Sequence, residues 1–224
     1  MLPVILISLS LHEYAHGYTA WKCGDDTAKS LGRLSINPLK HLDPIGFGCL
    51  LLFGFGWAKP VPINTRYFRN PRRDIRLVSL AGPLTNCALA LMSHFVYRIV
   101  IQLASPAAAS YQMLSYYNLL QLNELDMLSL PVTLLLIFLS QMVFTNVVLF
   151  IFNLIPIPPL DGSKILISIL PQKAAYFFLR NERVISLVLY ALLLLGLLSG
   201  PLSTAVYYIV YGFDYLLMLL PFFG

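Results

Sequence analysis

Residues 2–21, LPVILISLSLHEYAHGYTAW, decide how this chain is read. The run is apolar up to Leu11 apart from Ser8 and Ser10, and about 20 residues at about 1.5 Å each cross a hydrocarbon core of about 30 Å. Into it the sequence sets His12-Glu13-Tyr14-Ala15-His16. Positions i and i+4 share one helix face, so His12 and His16 can present two imidazoles to one metal ion, with Glu13 beside them to take a proton from water. With four histidines and three glutamates in 224 residues, such a pattern arises by chance about once in a thousand chains. Each ionisable residue in a span costs about 2.5–3.5 kcal/mol on insertion scales, so three within five residues require a compensating role.

The rest of the composition agrees with a bilayer as solvent. The chain is 58% hydrophobic and 11% charged, with a mean hydropathy of +0.75, against about 45–50% and about 25% for soluble domains. Five apolar stretches are expected to be membrane helices: Leu2 to about Trp21, about Leu77 to Leu103, about Leu130 to Leu154, about Val184 to Leu198, and Leu202 to Leu220. Gly200-Pro201 should turn the last two into a helical hairpin. Ile45 to Trp57 is too short and glycine-rich to span and reads as a re-entrant or interfacial piece. The fold class expected is therefore an all-α polytopic membrane protein with a three-helix catalytic core over residues 1–170. A C-terminal hairpin over 171–224 completes it. The proline-punctuated Lys59–Asn64 stretch suits an edge strand between the first two helices.

The net charge of +5 does not point to nucleic acid, because the aromatics lie in apolar runs instead of alternating with basic residues. Cys23, Cys49 and Cys87 form no CxxC, which argues against a disulfide framework or a thiolate zinc site. The first run has neither a basic leader nor an A-x-A-like site, so no cleaved signal peptide is expected. The Gly196 to Gly200 GxxxG lies in too apolar a tail to assign dimerisation, and oligomeric state is left open. Basic residues crowd the first connection, from Lys22 to Arg76, and recur at Lys173, Arg180 and Arg183, whereas Ala104 to Ser129 carries only Glu124 and Asp126. The positive-inside rule then puts the first and third connections in the cytoplasm and the amino terminus outside a cell membrane. The Arg66–Arg76 cluster reads as an anchor to anionic lipid.

Two histidines do not complete a catalytic zinc site, which usually has three protein ligands. The candidates in or beside apolar segments are His41, Asp43, His94 and Asp161. The first helix runs inward, which places residues 12–16 toward its cytoplasmic end. The third runs inward too, and the prolines of Asn153-Leu154-Ile155-Pro156-Ile157-Pro158-Pro159-Leu160-Asp161-Gly162 would break it and hold a carboxylate at the same depth. His94, midway along the second helix, reads as a satisfied intrahelical histidine. His41 and Asp43 read as a solvated loop or a cap.

These residues together resemble the site-2 protease family of intramembrane zinc metalloproteases. The resemblance rests on HEYAH, on Asn37-Pro38-Leu39-Lys40-His41-Leu42-Asp43-Pro44-Ile45-Gly46, on Ala58-Lys59-Pro60-Val61-Pro62-Ile63-Asn64, on Ala81-Gly82-Pro83-Leu84-Thr85-Asn86, and on Asn153 through Gly162. It implies one zinc ion held by His12, His16 and Asp161, Glu13 as the residue that activates water, and Asn153 as a helper toward substrate or oxyanion. It also matches Gly82 and Asn86 to a GxxxN motif, for which close helix packing and an interhelical hydrogen bond are equally good readings. No appended PDZ-like or CBS-like domain and no additional N-terminal helix are expected.

The function expected is hydrolysis of transmembrane protein segments near the cytoplasmic side, with membrane lipid as the surrounding partner. Pro60, Val61, Pro62 and Ile63, with Asn86, are candidate substrate contacts, the first four as an edge to which unwound substrate adds a strand. A divalent-metal transporter should instead line several helices with ligands and show repeated halves, neither of which the sequence has. An inactive scaffold of the same fold should have lost HExxH or the aspartate.

Overall fold

The computed structural model describes residues 1–53, 58–104 and 129–220. Its helices are α1 (Leu2–Lys22), the single turn α2 (Thr27–Ser30), α3 (Pro44–Phe53), α4 (Pro71–Ala104), α5 (Leu130–Leu154), α6 (Asp161–Ile169), α7 (Gln172–Arg180), α8 (Glu182–Leu194) and α9 (Ser199–Met218). Among the described residues there is no strand, only an isolated antiparallel bridge between Leu42 and Ala58.

Local sequence explains where the helices stop. α1 ends where Gly24 takes φ +110°, a left-handed conformation in which a Cβ would also stand 2.9 Å from the Tyr67 carbonyl. Asn70 precedes α4, and its N–H donates to the buried Asp74 carboxylate at 2.8 Å, which satisfies an amide next to the helix start. α5 ends at Leu154, and the chain crosses Pro156, Pro158 and Pro159 before α6 starts at Asp161. α4 carries Pro83 inside it, which leaves the Ser79 carbonyl without its helical donor.

By length and composition α4 and α5 can each cross a membrane, and α8 with α9 would supply a third span only if taken together. Two to three such helices thus lie among the described residues, and the five expected are not confirmed. α1 has 21 residues, enough length, but Ser8, Ser10 and HEYAH dilute its apolar run. α8 and α9 meet at 82° and do not form the expected antiparallel hairpin. The turn lies at Gly196, with φ +69°, and not at Gly200-Pro201. Pro201 sits in the first turn of α9, where a missing N–H costs no hydrogen bond. With Gly196 in the turn, Gly196 and Gly200 do not share a helix face.

α4 is the central element, packed by α1, α5 and α6. One core joins Ala90 of α4, Val143 and Val147 of α5, and Val206, Val210 and Phe213 of α9. A second joins Ala20 and Cys23 at the end of α1 to Phe68 and Val78. The apolar piece after Pro44 is the ten-residue helix α3, about 15 Å long and too short to span; residues 54–57 and the acidic connection with Glu124 and Asp126 lie outside the described residues. His94 is satisfied across helices, not within one: its Nε2 lies 2.8 Å from Asp214 Oδ1 of α9, with Arg98 Nε 3.8 Å from the same oxygen.

Candidate active site

Three chain segments converge on one point. His12 and His16 project from one face of α1, and Asp161, the first residue of α6, meets them from the other side. His12 Nε2 and His16 Nε2 lie 3.0 Å apart, and Asp161 Oδ2 is 3.0 Å from the second and 3.2 Å from the first. A tetrahedron with bonds of about 2.0 Å has edges of about 3.3 Å, close to this triangle. All three residues are buried.

The outer ring nitrogens bear on what the triangle could hold. His16 Nδ1 lies 2.7 Å from the Val78 carbonyl oxygen, and His12 Nδ1 lies 2.6 Å from Asn86 Oδ1. Both partners are acceptors, so both Nδ1 atoms carry the hydrogen and, in the neutral rings, both Nε2 atoms present lone pairs. Two lone pairs and a carboxylate oxygen facing one another repel unless a cation lies between them. The donor set, two imidazoles and one carboxylate, suits zinc. Asp161 divides its oxygens: Oδ2 faces the imidazoles and Oδ1 accepts from Lys164 Nζ at 2.9 Å.

Gly82 makes the convergence possible. A Cβ there would stand 2.5 Å from His12 Cε1 and 2.6 Å from His12 Nε2, and would also run into His16 Nε2. α4 passes behind the rings because that position has no side chain. Gly17 plays the same part on α1, where an added Cβ would meet Val61 Cγ1 at 3.0 Å.

The cleft beside the triangle has a volume of about 420 Å³, and its walls include Glu13, Val61, Ile63, Asn153 and Lys164. Glu13 Oε2 accepts the Val61 N–H at 2.8 Å. The segment carrying Val61 is held at both ends. Arg33 Nη2 donates to the Lys59 and Pro60 carbonyls at 2.8 and 3.1 Å, and the buried Asp25 carboxylate accepts the Asn64 N–H at 2.7 Å. Asp25 is held in turn by the Thr27 N–H at 3.0 Å and the Thr27 hydroxyl.

The sequence profile of peptidase family M50, the site-2 protease family, matches residues 1–196. The chain belongs to peptidase family M50. Among M50 relatives it is 41% identical over 171 residues to the candidate zinc metalloprotease YwhC of Bacillus subtilis, covering 76% of this chain and 69% of that one. It is 31% identical over 163 residues to the candidate zinc metalloprotease Rip2 of Mycobacterium tuberculosis, covering 70% of this chain and about half (52%) of that one. The Mycolicibacterium smegmatis Rip2 is 30% identical over the same length and with the same coverage. No solved structure matches the chain.

In this M50 chain the structure brings His12, Glu13, His16, Asn153 and Asp161 to one cleft. Pro60, Val61 and Ile63 line it as well, whereas Pro62 does not. Asn153 Nδ2 donates back to the Leu149 carbonyl at 3.0 Å. Asn86 lies behind His12 instead of in the cleft: it is fully buried and both ends of its amide are engaged. Substrate contact by Asn86 is thereby corrected, since no face of it reaches the cleft. His41 is buried, with Nε2 2.6 Å from the Ser35 carbonyl, and Asp43 caps α3 through the Ile45 and Gly46 N–H groups at 3.0 and 2.8 Å. Neither joins the triangle. Cys23 does not join the triangle; burial, with the Asp74 carboxylate beside it, pushes its thiol pKa up.

Three participants were not singled out from the sequence. Lys164 follows Asp161 by three residues, one helical turn, and that spacing was the available signal. The Val61 N–H is a backbone group and leaves no trace in residue type. Asn146 is a fully buried amide within the apolar run 130–154, where a polar side chain is costly.

Proposed function

We propose that this chain is a zinc-dependent endopeptidase that hydrolyses peptide bonds of transmembrane proteins near the cytoplasmic face of a cell membrane. The observation that carries this reading is the triangle of two lone-pair nitrogens and a carboxylate oxygen, with Glu13 on the wall of the same cleft. His12, His16 and Asp161 would hold the ion. When bound, zinc supplies a Lewis acid for the scissile carbonyl and lowers the pKa of water toward about 7.

The remaining work falls to the chain's own groups. Glu13 is fixed through Oε2 by the Val61 N–H, which leaves its second oxygen to take a proton from water and pass it to the leaving amine. Asn153 can turn its amide from Leu149 into the cleft and donate to the developing oxyanion. Lys164 keeps the second oxygen of Asp161 occupied, so that carboxylate offers one oxygen inward.

A peptide must be extended to be cut, and the Lys59–Asn64 segment supplies an edge for it. Pro60 and Pro62 have no N–H, and backbone groups alternate sides along an extended chain. Val61 and Ile63 therefore face Glu13 while Asn64 faces Asp25. Among the described residues nothing accepts the Ile63 N–H, which is left to pair with substrate. The basic residues Arg72, Arg73 and Arg76 lie within two turns of the cleft-lining Ile75, Val78 and Ser79, which supports a cytoplasmic opening.

The test is Glu13→Gln in proteoliposomes with a transmembrane substrate. It should retain zinc and lose about 10²–10⁴-fold in turnover. Turnover at the unsubstituted rate would overturn the proposal.

A further inference from the structure

We propose that Asn146, on α5 and out of the cleft, is a positioning residue that sets the tautomer of His12 through Asn86 and so aims a lone pair at the metal site. The inference rests on the zinc-binding reading above and extends it to a residue that touches neither substrate nor ion.

The chain of contacts has one permitted direction. Asn146 Nδ2 donates to the Met142 carbonyl and to Ser8 Oγ, each at 2.8 Å. A backbone carbonyl only accepts, so the NH₂ end of Asn146 must face Met142 and its Oδ1 must face Asn86. Asn86 then has to present its own NH₂, and Asn86 Nδ2 lies 2.8 Å from Asn146 Oδ1. That turns Asn86 Oδ1 toward His12 Nδ1, 2.6 Å away. An amide oxygen cannot donate, so His12 carries its hydrogen on Nδ1 and keeps Nε2 bare. The polarity of the relay originates at Met142 O, two amides away from the ring it orients.

His16 reaches the same tautomer by a shorter route, directly from the Val78 carbonyl. His12 Nδ1 meets the side-chain oxygen of Asn86 instead of a backbone carbonyl, and a side-chain amide can rotate. Asn146 removes that freedom. Asn86, Asn146 and Ser8 are all fully buried, so water does not substitute for a missing partner, and the relay closes on α1 one helical turn before His12.

The experiment uses metal-free protein in nanodiscs with ¹⁵N-labelled histidine rings, at a pH where the rings are neutral. With four histidines in the chain, ring-nitrogen shifts report each tautomer separately. His12 and His16 should both carry hydrogen on Nδ1. In Asn146→Leu, close in size but without donors or acceptors, His12 should populate both tautomers while His16 is unchanged, and zinc affinity by chelator competition should fall about 10–100-fold. Ser8→Ala keeps the Met142 carbonyl and should leave the His12 tautomer as it was.

An unsubstituted protein with hydrogen on His12 Nε2 would overturn the proposal without any variant. So would an Asn146→Leu protein in which His12 is unaltered. So would one in which His12 and His16 shift together, which would make Asn146 a packing residue. The zinc reading fails separately, by an unsubstituted protein with the stated tautomers that binds no zinc.

Discussion

Glu13 Oε2 accepts the backbone N–H of Val61 at 2.8 Å, which ties the residue proposed to move protons to the segment proposed to receive substrate. The two parts of the cleft are therefore one mechanical unit. Arg33 and Asp25 anchor the ends of that segment, and Gly17 lets Val61 lie against α1.

Val61→Pro removes the N–H that fixes Glu13 and should lower kcat while zinc content stays at one per chain. Ile63→Pro removes a donor that faces the cleft but holds nothing in the free enzyme, and should raise KM with a smaller change in kcat. Steady-state kinetics on a reconstituted transmembrane substrate, with zinc measured on the same samples, separates the two. Unchanged turnover in Ile63→Pro would remove the added-strand account.

Gly82→Ala should be among the most damaging substitutions of a single methyl group in this chain. The new Cβ would stand 2.6 Å from His12 Nε2, and the rings must move because the backbone of a long packed helix cannot. Zinc affinity should drop by at least about tenfold, as displaced ligands and their supports typically show. Competition with a chelator of known affinity measures it.

Asp161→Asn keeps the size of the side chain and removes the charge that two imidazoles require as a third ligand. Zinc should be lost at concentrations that saturate the unsubstituted protein. Lys164→Met should be milder, because Lys164 is half exposed (55%) and an ion pair so open to water contributes little. A fall in zinc affinity of a few-fold, read in the same assay, is expected.

Removal of zinc should abolish peptidase activity and zinc alone should restore it. Apo protein should also melt at a lower temperature, since an ion that binds only the folded state stabilises it by mass action. Thermal unfolding in detergent with and without added zinc checks this. Equal melting temperatures would show that the triangle is held by packing alone.

Much of the active site was legible because its parts are local patterns. The i, i+4 histidines occupy one helix face whatever surrounds them, and prolines 156, 158 and 159 stop a helix in any context. Asp161 followed from matching two helix directions, which is a topological inference from charge. The C-terminal pair was misread because Gly-Pro is a strong turn signal, yet proline is also tolerated in a helix's first turn, and Gly196 supplied the left-handed φ that made the turn earlier. Five spans were counted from apolar length alone, which does not register how HEYAH lowers the apolar character of α1.

By itself the amino-acid sequence determined the residue types, the helical spacing of His12 and His16, and the interruption before Asp161, because each depends on covalent geometry and neighbours a few residues apart. The tertiary structure alone decided that Asn86 stands behind His12, that Asn146 orients Asn86, that Gly82 leaves room for both rings and that Val61 holds Glu13. Those relationships join residues 48 to 74 positions apart. Distances of 2.6–2.8 Å across such separations arise only when helices have packed, since hydrogen-bond polarity and steric exclusion act between surfaces that no local pattern brings together.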